Sequence, residues 1–560
     1  MFRNGGSNNF RVHSFHKRFD RHSSKYFQRP ELGAAEEMEG KSDIDVTADD
    51  RISKLPEPIL QHILSFLHAK DAARMSILSR VWVSAWNSLS YLNFGDKFVS
   101  ESKDIPKLLN AVDQALANRK KSKISIQKFS LKLPHHRWLS YVDSWITTLI
   151  ACNTKELNLT VDRPIYQVIR KYNSLPHAIF AVKELQVLSL GGFKIDLPAG
   201  DGMIKLSSLR ELHLSDVSLD EQFIQALCSS CCNLEDLSLR SIVRLTSFQV
   251  GETLPKLKKV NLEFCPYRFQ LVDIAAINLE DLKIHSLYRN IEVVKITACK
   301  ALKSLHLNGV DVTKNWLEKL FYSLQNLETL HLANCNNLRT TKITSDSLKW
   351  LTISCYNNLI VADFDTPNLL KFQCSCDPLS TFKLKASVLL EVTLHLYAEH
   401  GVFDWHSKLV KFLANFNYAK AIELMCDGYK EIVIPKDLRE NFLPPLYGTN
   451  ILQVNLEKQS SYSVVHIIDS MLWISPRPDT LSFTLPPGLK SLKFIYKDAS
   501  DEDGKPCCAS LPWKCWRHTL KQVKLQNFTH LEEEKLIKYF FANADNLEMV
   551  ETSVLQIVHS

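Results

Sequence analysis

The sequence predicts an α/β protein in which a short all-α segment is followed by a curved solenoid with a parallel sheet and by a C-terminal cap. Three observations support this fold class. Apolar residues follow helical spacing in residues 51–86, a leucine pattern repeats through the middle of the chain, and residues 505–560 read as one final strand–helix unit. With 560 residues, 45% hydrophobic and 23% charged, the composition is that of ordinary globular domains.

The helical segment at residues 51–86 holds more apolar side chains than it can bury by itself. Ile59 and Ile63 recur at the spacing of one helix face, and Trp82 and Trp86 share one face of a later helix. Three short helices with this much surplus apolar surface are typical of a module that binds a partner. The plain alternative is the helical start of a larger domain.

This segment resembles the F-box, in its plant form, which docks substrate receptors onto the SKP adaptor of cullin–RING ubiquitin ligases. The matching residues are Asp50, Arg51, Ile52, Leu55, Pro56, Ile59, Leu60, Ile63, Leu64, Ser65, Phe66, Leu67, Leu78, Ser79, Trp82 and Trp86. The chain departs from the family at Val81 and Val83, where basic residues are usual. The resemblance implies that adaptor binding uses Leu55, Pro56, Ile59, Leu60, Ile63, Leu67, Leu78, Trp82 and Trp86.

The pattern L-x-x-L-x-L, with conservative swaps, recurs at intervals of 20 to 25 residues. Its units open at Leu185, Leu209, Leu234, Leu257, Leu279, Leu302, Leu327, Leu348, Leu369 and Leu389. A period in this range with this pattern is the signature of leucine-rich repeats. Each unit supplies one short strand that cannot bury its own leucines, so the units must stack.

Side chains alternate between the two faces of each predicted strand. Leu212 and Leu214 point into the core, whereas His213 points outward onto the concave sheet. Residues 219–227 and 313–324 are predicted to form amphipathic helices that lead from one strand back to the next. The units of 20–22 residues have little room for a helix and are expected to return by loops or 3₁₀ turns. Target contact is predicted at outward positions: Arg210, His213, Ser238, Lys283, His306, His331 and Thr352.

The C-terminal segment resembles the FBD domain that follows the repeats of many plant F-box proteins. The matching residues are Cys515, Leu520, Lys521, Val523, Phe528, Glu533, Tyr539, Phe540, Ala544 and Leu547. In physical terms the segment is a strand, a helix over residues 531–544 and a last strand, which would cap the open end of the solenoid. A separate binding role for it stays open.

These features predict four regions. They are a disordered basic N-terminus at 1–48, the F-box at 49–96, the repeats with a leading helix–strand unit at 97–504, and the FBD-like unit at 505–560. Residues 1–30 hold seven Lys and Arg against Asp20 alone, so the net charge of +7 is largely local. That stretch is open to three interpretations: a disordered tail, a transit peptide, or a segment absent from the working protein because translation starts at Met38.

Cysteines and histidines raise the question of a metal site. The 14 cysteines are scattered without a second ligand pair at zinc-finger spacing, which favours buried, reduced thiols of the cytosol or nucleus. Cys265 and Cys335 occupy the position where leucine-rich repeats bury a small side chain. His306 and His331 are expected side by side, either as solvated imidazoles or as a metal pair or pH switch.

The combined features predict a substrate-recognition subunit of an SKP–cullin–F-box ubiquitin ligase. It would bind an SKP-type adaptor and through it a cullin, and would hold an unknown protein substrate on the repeats, in the nucleus or cytoplasm. No catalytic motif and no cofactor motif is present, and no apolar run of about 18 residues predicts a membrane span. The alternatives are a repeat scaffold that does not dock to the ligase, a nucleic-acid binder that uses the basic N-terminus, and an enzyme. The sequence leaves the target and any small-molecule co-ligand open.

Overall fold

The computed structural model describes most of the chain from residue 52 onward. The described residues are 52–95, 105–133, 140–162, 172–197, 204–264, 269–286, 291–335, 338–354, 361–376, 381–396, 404–428, 431–457, 463–485, 488–497, 515–552 and 556–558. The predicted disordered N-terminus, Met38, Cys265 and the predicted boundary segment at 505–514 lie outside these residues.

Helices form where apolar residues follow a period of about 3.6 residues, and the predicted return helices are confirmed. In chain order they are α1 (Glu57–Ser65), α2 (Ala69–Met75), α3 (Arg80–Ser88), α4 (Ile105–Lys121), α5 (Val142–Ala151), α6 (Glu221–Ser230), α7 (Lys314–Ser323), α8 (Trp405–Leu413), α9 (Lys436–Arg439), α10 (Val464–Ile474), α11 (Trp516–Thr519) and α12 (His530–Asn543). The side chain of Asp220 caps α6 and that of Thr313 caps α7, because each accepts a hydrogen bond from a backbone N–H of the first turn.

Strands form where apolar residues alternate, beginning with the repeat pattern itself. In chain order they are β1 (Tyr91–Phe94), β2 (Lys128–Leu133), β3 (Glu156–Val161), β4 (Asn173–Ser174), β5 (Val187–Gly191), β6 (Phe193–Lys194), β7 (Glu211–Ser215), β8 (Asp236–Arg240), β9 (Ser247–Val250), β10 (Lys259–Phe264), β11 (Phe269–Ile274), β12 (Asp281–Ser286), β13 (Ile291–Ile296), β14 (Ser304–Asn308), β15 (Thr329–Ala333), β16 (Thr340–Thr344), β17 (Trp350–Ser354), β18 (Val361–Asp365), β19 (Lys371–Cys376), β20 (Thr381–Lys385), β21 (Glu391–Leu396), β22 (Ala421–Cys426), β23 (Ile451–Leu456), β24 (Thr480–Leu485), β25 (Gly488–Tyr496), β26 (Leu520–Gln526), β27 (Met549–Glu551) and β28 (Gln556–Val558).

One strand from each repeat joins a long sheet, which has 20 strands in the described part of the chain. Its strands pair in parallel from β1 to β24, so the predicted parallel solenoid is confirmed over this stretch. The order then changes, because β25 runs antiparallel to both β24 and β26, and β28 runs antiparallel to β27. The C-terminal end of the sheet is therefore mixed rather than parallel.

The repeats of 20–22 residues return by β11, β16, β18 and β20, so the prediction of loops or 3₁₀ turns for them was wrong. The 23-residue repeats that open at Leu234 and Leu279 return by β9 and β13. Strands β9, β11 and β13 form one parallel three-stranded sheet, and β16, β18 and β20 form another. Their apolar residues, such as Phe248 and Val272, enter the same core as the repeat leucines. Four to six residues that alternate apolar and polar span the return limb as a strand, where a helix would need more chain.

The described residues form two apolar cores. The repeats share one continuous core, and the three F-box helices enclose a small one formed by Leu60, Leu64, Ala72, Trp82, Ala85 and Leu89. The Trp86 side chain packs against both cores. The F-box helices and the repeats thus meet through a packed contact around Trp86.

Candidate docking surfaces

The F-box helices leave a set of large apolar side chains in contact with solvent. Phe66 is 75% exposed, Ile77 is 83% exposed and Leu78 is 62% exposed. Ile59 on α1 and Val81 on α3 are also exposed. Apolar side chains this large and this numerous on so small a module mark an interaction surface.

The nine residues predicted to bind the adaptor fall into three groups. Pro56, Ile59 and Leu78 are exposed, while four others are partly buried and pack against the small core. Those four are Leu55, Ile63, Leu67 and Trp86. For these seven residues the docking role stays a prediction.

Leu60 and Trp82 require a correction. Their side chains are 0% and 1% exposed at the centre of the F-box core, so neither can reach a partner in this conformation. They hold the three helices together, and the spacing of apolar residues could not separate that role from docking. Helical periodicity identifies the residues of one face, but both a core and a partner can cover that face.

Two exposed apolar residues escaped the prediction. Phe66 follows the last residue of α1, and Ile77 lies between α2 and α3. Helical periodicity cannot assign a face to a residue in a turn, so the pattern gave no signal for Ile77. Val81 and Val83, which replace basic residues of the F-box pattern, are each 41% exposed on α3.

Polar contacts fix the relative position of α1 and α3. The Ser88 hydroxyl donates to Glu57 Oε1 at 2.5 Å, and Gln61 Nε2 donates to the same oxygen at 3.1 Å. The hydrogen bond from Ser88 is the main reason that the pKa of Glu57 is lowered. The two helices therefore present their exposed residues in a defined arrangement.

A buried arginine joins the F-box to the first repeat. The Arg119 side chain of α4 is fully buried and donates to the carbonyl oxygens of Leu89 at 3.0 Å, Trp86 at 2.7 Å and Ala115 at 3.0 Å. Its guanidinium carbon also lies 5.0 Å from the centre of the Trp86 ring. Burial lowers the pKa of Arg119 to about 10, which leaves the group protonated at pH 7. The carbonyls at the C-terminus of α3 thus stabilise a buried positive charge.

The second surface is the outer face of the long sheet, called here the open face. It carries the side chains that alternate with the buried leucines of each strand. Strand register places its central positions in one continuous row: Ser130, Asn158, Ser189, His213, Ser238, Asn261, Lys283, His306, His331, Thr352, Gln373, Thr393, Glu423, Gln453 and Ser482. Six of the seven predicted target-binding residues belong to this row.

Three of the predicted target positions need correction. Ser238 is 9% exposed and Thr352 is 2% exposed, because longer side chains from neighbouring strands cover these short ones. Asn261, for example, lies 3.5 Å from the Ser238 hydroxyl. Arg210 immediately precedes β7, so it lies at the N-terminal end of that strand rather than on the open face. His213, Lys283, His306 and His331 reach the open face as predicted.

The two predicted neighbours His306 and His331 stack against each other. Their ring centres are 5.5 Å apart with 27° between the ring planes, and His306 Nε2 lies 3.1 Å from the Ser304 hydroxyl. Burial lowers the pKa of both imidazoles, so both are neutral at pH 7. Within the described residues, no group of three or more His, Cys, Asp or Glu side chains could hold a metal ion.

The thiols of the repeats lie in the core. Cys228, Cys231, Cys299, Cys335 and Cys374 are all buried. Burial raises the pKa of Cys228 to about 11 and that of Cys231 to about 12, which removes the reactive thiolate at neutral pH. These cysteines fill space, as the sequence pattern predicted.

Farther along the open face, Glu423 is the centre of a hydrogen-bond network. Its Oε1 accepts from Asn455 Nδ2 at 2.6 Å and from Gln453 Nε2 at 3.3 Å, and its Oε2 accepts from the Thr393 hydroxyl at 3.3 Å. The Thr484 hydroxyl donates to Asn455 Oδ1 at 2.8 Å, which turns the Asn455 amide nitrogen toward Glu423. Sequence reasoning missed this site because its members are about 30 residues apart in the chain.

Three family models match the chain. An F-box domain model matches residues 52–94. A model of the leucine-rich repeats of the FBD-associated F-box protein At5g56370 matches residues 142–301, and a model of the leucine-rich-repeat domain of At1g61320/AtMIF1 matches residues 291–551. The last match includes β26, α12 and β27, the segment for which the sequence predicts an FBD-like cap. The boundary of that cap stays a prediction.

Curated relatives come from Arabidopsis thaliana. The chain is 30% identical to the putative F-box/LRR-repeat protein At5g41840 over 39% of this chain and 42% of that protein. It is 28% identical to the FBD-associated F-box protein At4g10400 over 60% of this chain and 85% of that protein. It is 31% identical to the F-box protein At4g09920 over 39% of this chain and 66% of that protein. The match thus spans less than half of the first relative and most of the second.

No helix among the described residues has the length and apolar character needed to cross a membrane. The observed architecture, a helical module followed by stacked strand repeats, agrees with the domain order of the three matching models. The chain therefore carries an F-box domain followed by leucine-rich repeats, and it is similar to plant F-box, F-box/LRR-repeat and FBD-associated F-box proteins.

Proposed function

We propose that this protein is the substrate-recognition subunit of an SKP–cullin–F-box ubiquitin ligase. The observation that carries the proposal is the exposed apolar surface of the F-box, at Ile59, Phe66, Ile77 and Leu78, within the segment that matches the F-box model. An SKP-type adaptor would cover this surface and connect the chain to a cullin. The open face of the repeats would hold a protein target.

In this role the protein performs no bond chemistry. Other subunits would deliver ubiquitin, and the contribution of this chain would be to hold a target near them, so that a bimolecular reaction becomes effectively unimolecular. The Arg119 contact supports this role, since a rigid joint between F-box and repeats fixes where a bound target lies. The proposal needs no cofactor and places the protein in the nucleus or cytoplasm, where the adaptor acts.

The test is a pull-down of purified chain with a panel of SKP-type adaptors. Ile77→Asp should abolish binding, because it places a charge in an apolar interface without disturbing the core. Tyr322→Asp is the matched control, since Tyr322 is 87% exposed on α7 of the repeats. The double variant Leu55→Ala, Pro56→Ala should also lose binding while its circular dichroism stays that of the parent protein.

The result also separates the proposal from its main alternative. A repeat scaffold that does not dock to the ligase would bind none of the adaptors, and valines at positions 81 and 83 would be the first residues to replace with arginine. Adaptor binding that survives Ile77→Asp would instead move the docking site away from this surface.

A further inference from the structure

The carboxylate of Glu423 differs from the other acidic groups of the open face in its surroundings. Glu263 pairs with Arg240 at 3.1 Å, Glu391 with Lys371 at 2.7 Å, and Glu551 with Lys524 at 2.7 Å. Glu156, Asp236 and Asp281 likewise have Lys128, Lys259 and Lys283 as neighbours on the face. Acidic groups on this sheet thus normally come with a basic neighbour.

Glu423 has no basic neighbour of this kind among the described residues. Register surrounds it with eight face positions, none of them Lys or Arg: Ala421, Met425, Glu391, Thr393, His395, Ile451, Gln453 and Asn455. The one imidazole among them, His395, has a pKa lowered mainly by burial, so it supplies no positive charge at pH 7. All three groups that donate to Glu423 are neutral.

The network also leaves the carboxylate able to accept more. Its Oε1 takes two hydrogen bonds and its Oε2 takes one, whereas the two oxygens of a carboxylate offer about four acceptor positions. Thr393 lies on β21, and Gln453 and Asn455 lie on β23, so the strands on both sides of Glu423 fix the orientation of the group before any partner arrives. A fixed acceptor reduces the cost of ordering a bound donor.

Three of the eight positions around Glu423 are apolar. Ile451, which is 44% exposed, and Met425 and Ala421 flank the carboxylate on the open face. Lys and Arg side chains lay their aliphatic stems along such side chains while the charged end reaches a polar partner. The combination of a fixed carboxylate and these apolar neighbours fits a long basic side chain.

We propose that Glu423 is the anchor for an arginine or lysine side chain presented by the protein target. The site would select for that charge, because a neutral or acidic side chain would leave the carboxylate covered without a counter-charge. This inference rests on the proposed function in that the bound protein is taken to be the ligase target.

The experiment selects peptides from a displayed random 12-residue library on the immobilised full-length chain, on Glu423→Gln and on Glu263→Gln. Glu423→Gln keeps the shape of the side chain and removes its charge. Glu263→Gln is the matched control, because it removes a face carboxylate that already has Arg240 as its partner. Thermal unfolding of the three proteins should coincide within about 2 °C, since a change on the surface usually has a small effect.

The parent chain and Glu263→Gln should each enrich peptides with Arg or Lys over the starting library, and Glu423→Gln should lose that enrichment. A selected peptide should bind Glu423→Gln at least about tenfold more weakly by fluorescence anisotropy, as should a version of the peptide with Arg replaced by Gln bound to the parent chain. Selection of neutral or acidic peptides, no selection at all, or equal affinity for the Glu423→Gln variant would overturn the inference.

Measuring adaptor binding on the same proteins distinguishes a failure of the Glu423 anchor from a failure of the proposed function. Glu423 lies on β22, far along the sheet from the F-box, so Glu423→Gln should bind SKP-type adaptors as the parent chain does. Failure of the parent chain to select basic peptides, with adaptor binding intact, would refute the anchor and leave the ligase role standing. Basic-peptide selection without any adaptor binding would keep the anchor and refute the ligase role.

Discussion

The joint between the F-box and the repeats should depend on the Arg119 guanidinium. We predict that Arg119→Met loosens this joint while both folded parts persist. Methionine has a similar length and no donor, so it fills much of the space but leaves the carbonyls of Leu89 and Trp86 without the guanidinium. The Ala115 carbonyl lies within α4 and keeps its position in the helical hydrogen-bond pattern.

The size of the effect follows mainly from the Leu89 carbonyl, because the Trp86 carbonyl still accepts from the Leu89 N–H at 3.3 Å. A buried polar group that loses its partner costs about 1–3 kcal/mol. Removing the arginine also removes the cost of burying its charge, which offsets part of this loss. The expected net destabilisation of the joint is therefore about 1–2 kcal/mol.

Hydrogen exchange read by mass spectrometry gives a local measure of this change. At about 1.4 kcal/mol per factor of ten, a loss of about 1–2 kcal/mol makes amide exchange roughly 5- to 30-fold faster. The increase should be confined to peptides that cover the end of α3 and the end of α4. Arg74→Met is the matched control, because Arg74 on α2 is largely exposed and, among the described residues, forms an ion pair with Asp71 at the surface. Surface pairs of this kind contribute about 0–1 kcal/mol.

Unchanged exchange in the Arg119→Met protein would refute the reasoning. It would mean that water or a shifted backbone satisfies the two carbonyls at no cost, and that apolar packing around Trp86 alone holds the joint. An equal increase in the Arg74→Met control would show that the effect is not specific to the buried contact.

Three further predictions concern stability. Leu60→Ala should cost about 2–5 kcal/mol in denaturant unfolding of the F-box, whereas Leu78→Ala, at an exposed position, should cost less than about 1 kcal/mol, and equal losses would contradict the core assignment. Gly309→Ala should destabilise the repeats by about 1–3 kcal/mol, because Gly309 has φ of +68° and an added Cβ would lie 2.0 Å from the Ser286 carbonyl oxygen. Thermal unfolding measures this loss. Gly251→Ala is the control, because the space around Gly251 is open. Burial raises the pKa of Asp469, but hydrogen bonds from Tyr539 and Arg439 outweigh burial and lower that pKa in the folded protein. The ionised carboxylate therefore stabilises the fold fully above the unfolded-state pKa of about 3.9, and this stabilisation is lost as the pH falls through the lower pKa of the folded state. The difference between the urea midpoints at pH 7 and pH 3 should therefore be smaller in Asp469→Asn than in the parent protein. An unchanged difference would contradict this role of Asp469.

The repeating core could be predicted because its physics is local. Each repeat leucine must be buried, and the spacing of 20 to 25 residues repeats that requirement along the chain. The helices α6 and α7 followed from the same reasoning, since their apolar residues recur at helical spacing and a capping side chain precedes each. Such signals lie within about ten residues of one another and need no knowledge of the tertiary structure.

The return strands were missed because their stability is not local. The segments of β9, β11 and β13 gain strand geometry by pairing with equivalent segments one repeat away. A single repeat gives little sign of this, and the expectation of loops or turns came from length alone. A test of whether return segments match one another at the repeat period would have indicated a second sheet.

A similar limit applies to the surfaces that bind partners. Ser238 and Thr352 alternate correctly with the core leucines, yet neighbours on other strands cover them, which the pattern of one repeat cannot reveal. Glu423 is equally unremarked in sequence, because many acidic residues lie on the open face. It becomes distinctive only when register shows that its neighbours on β21 and β23 carry no counter-charge. Recognition chemistry on a repeat protein is therefore a property of adjacent repeats taken together, and the residues worth testing first are those whose charge the neighbouring repeats do not balance.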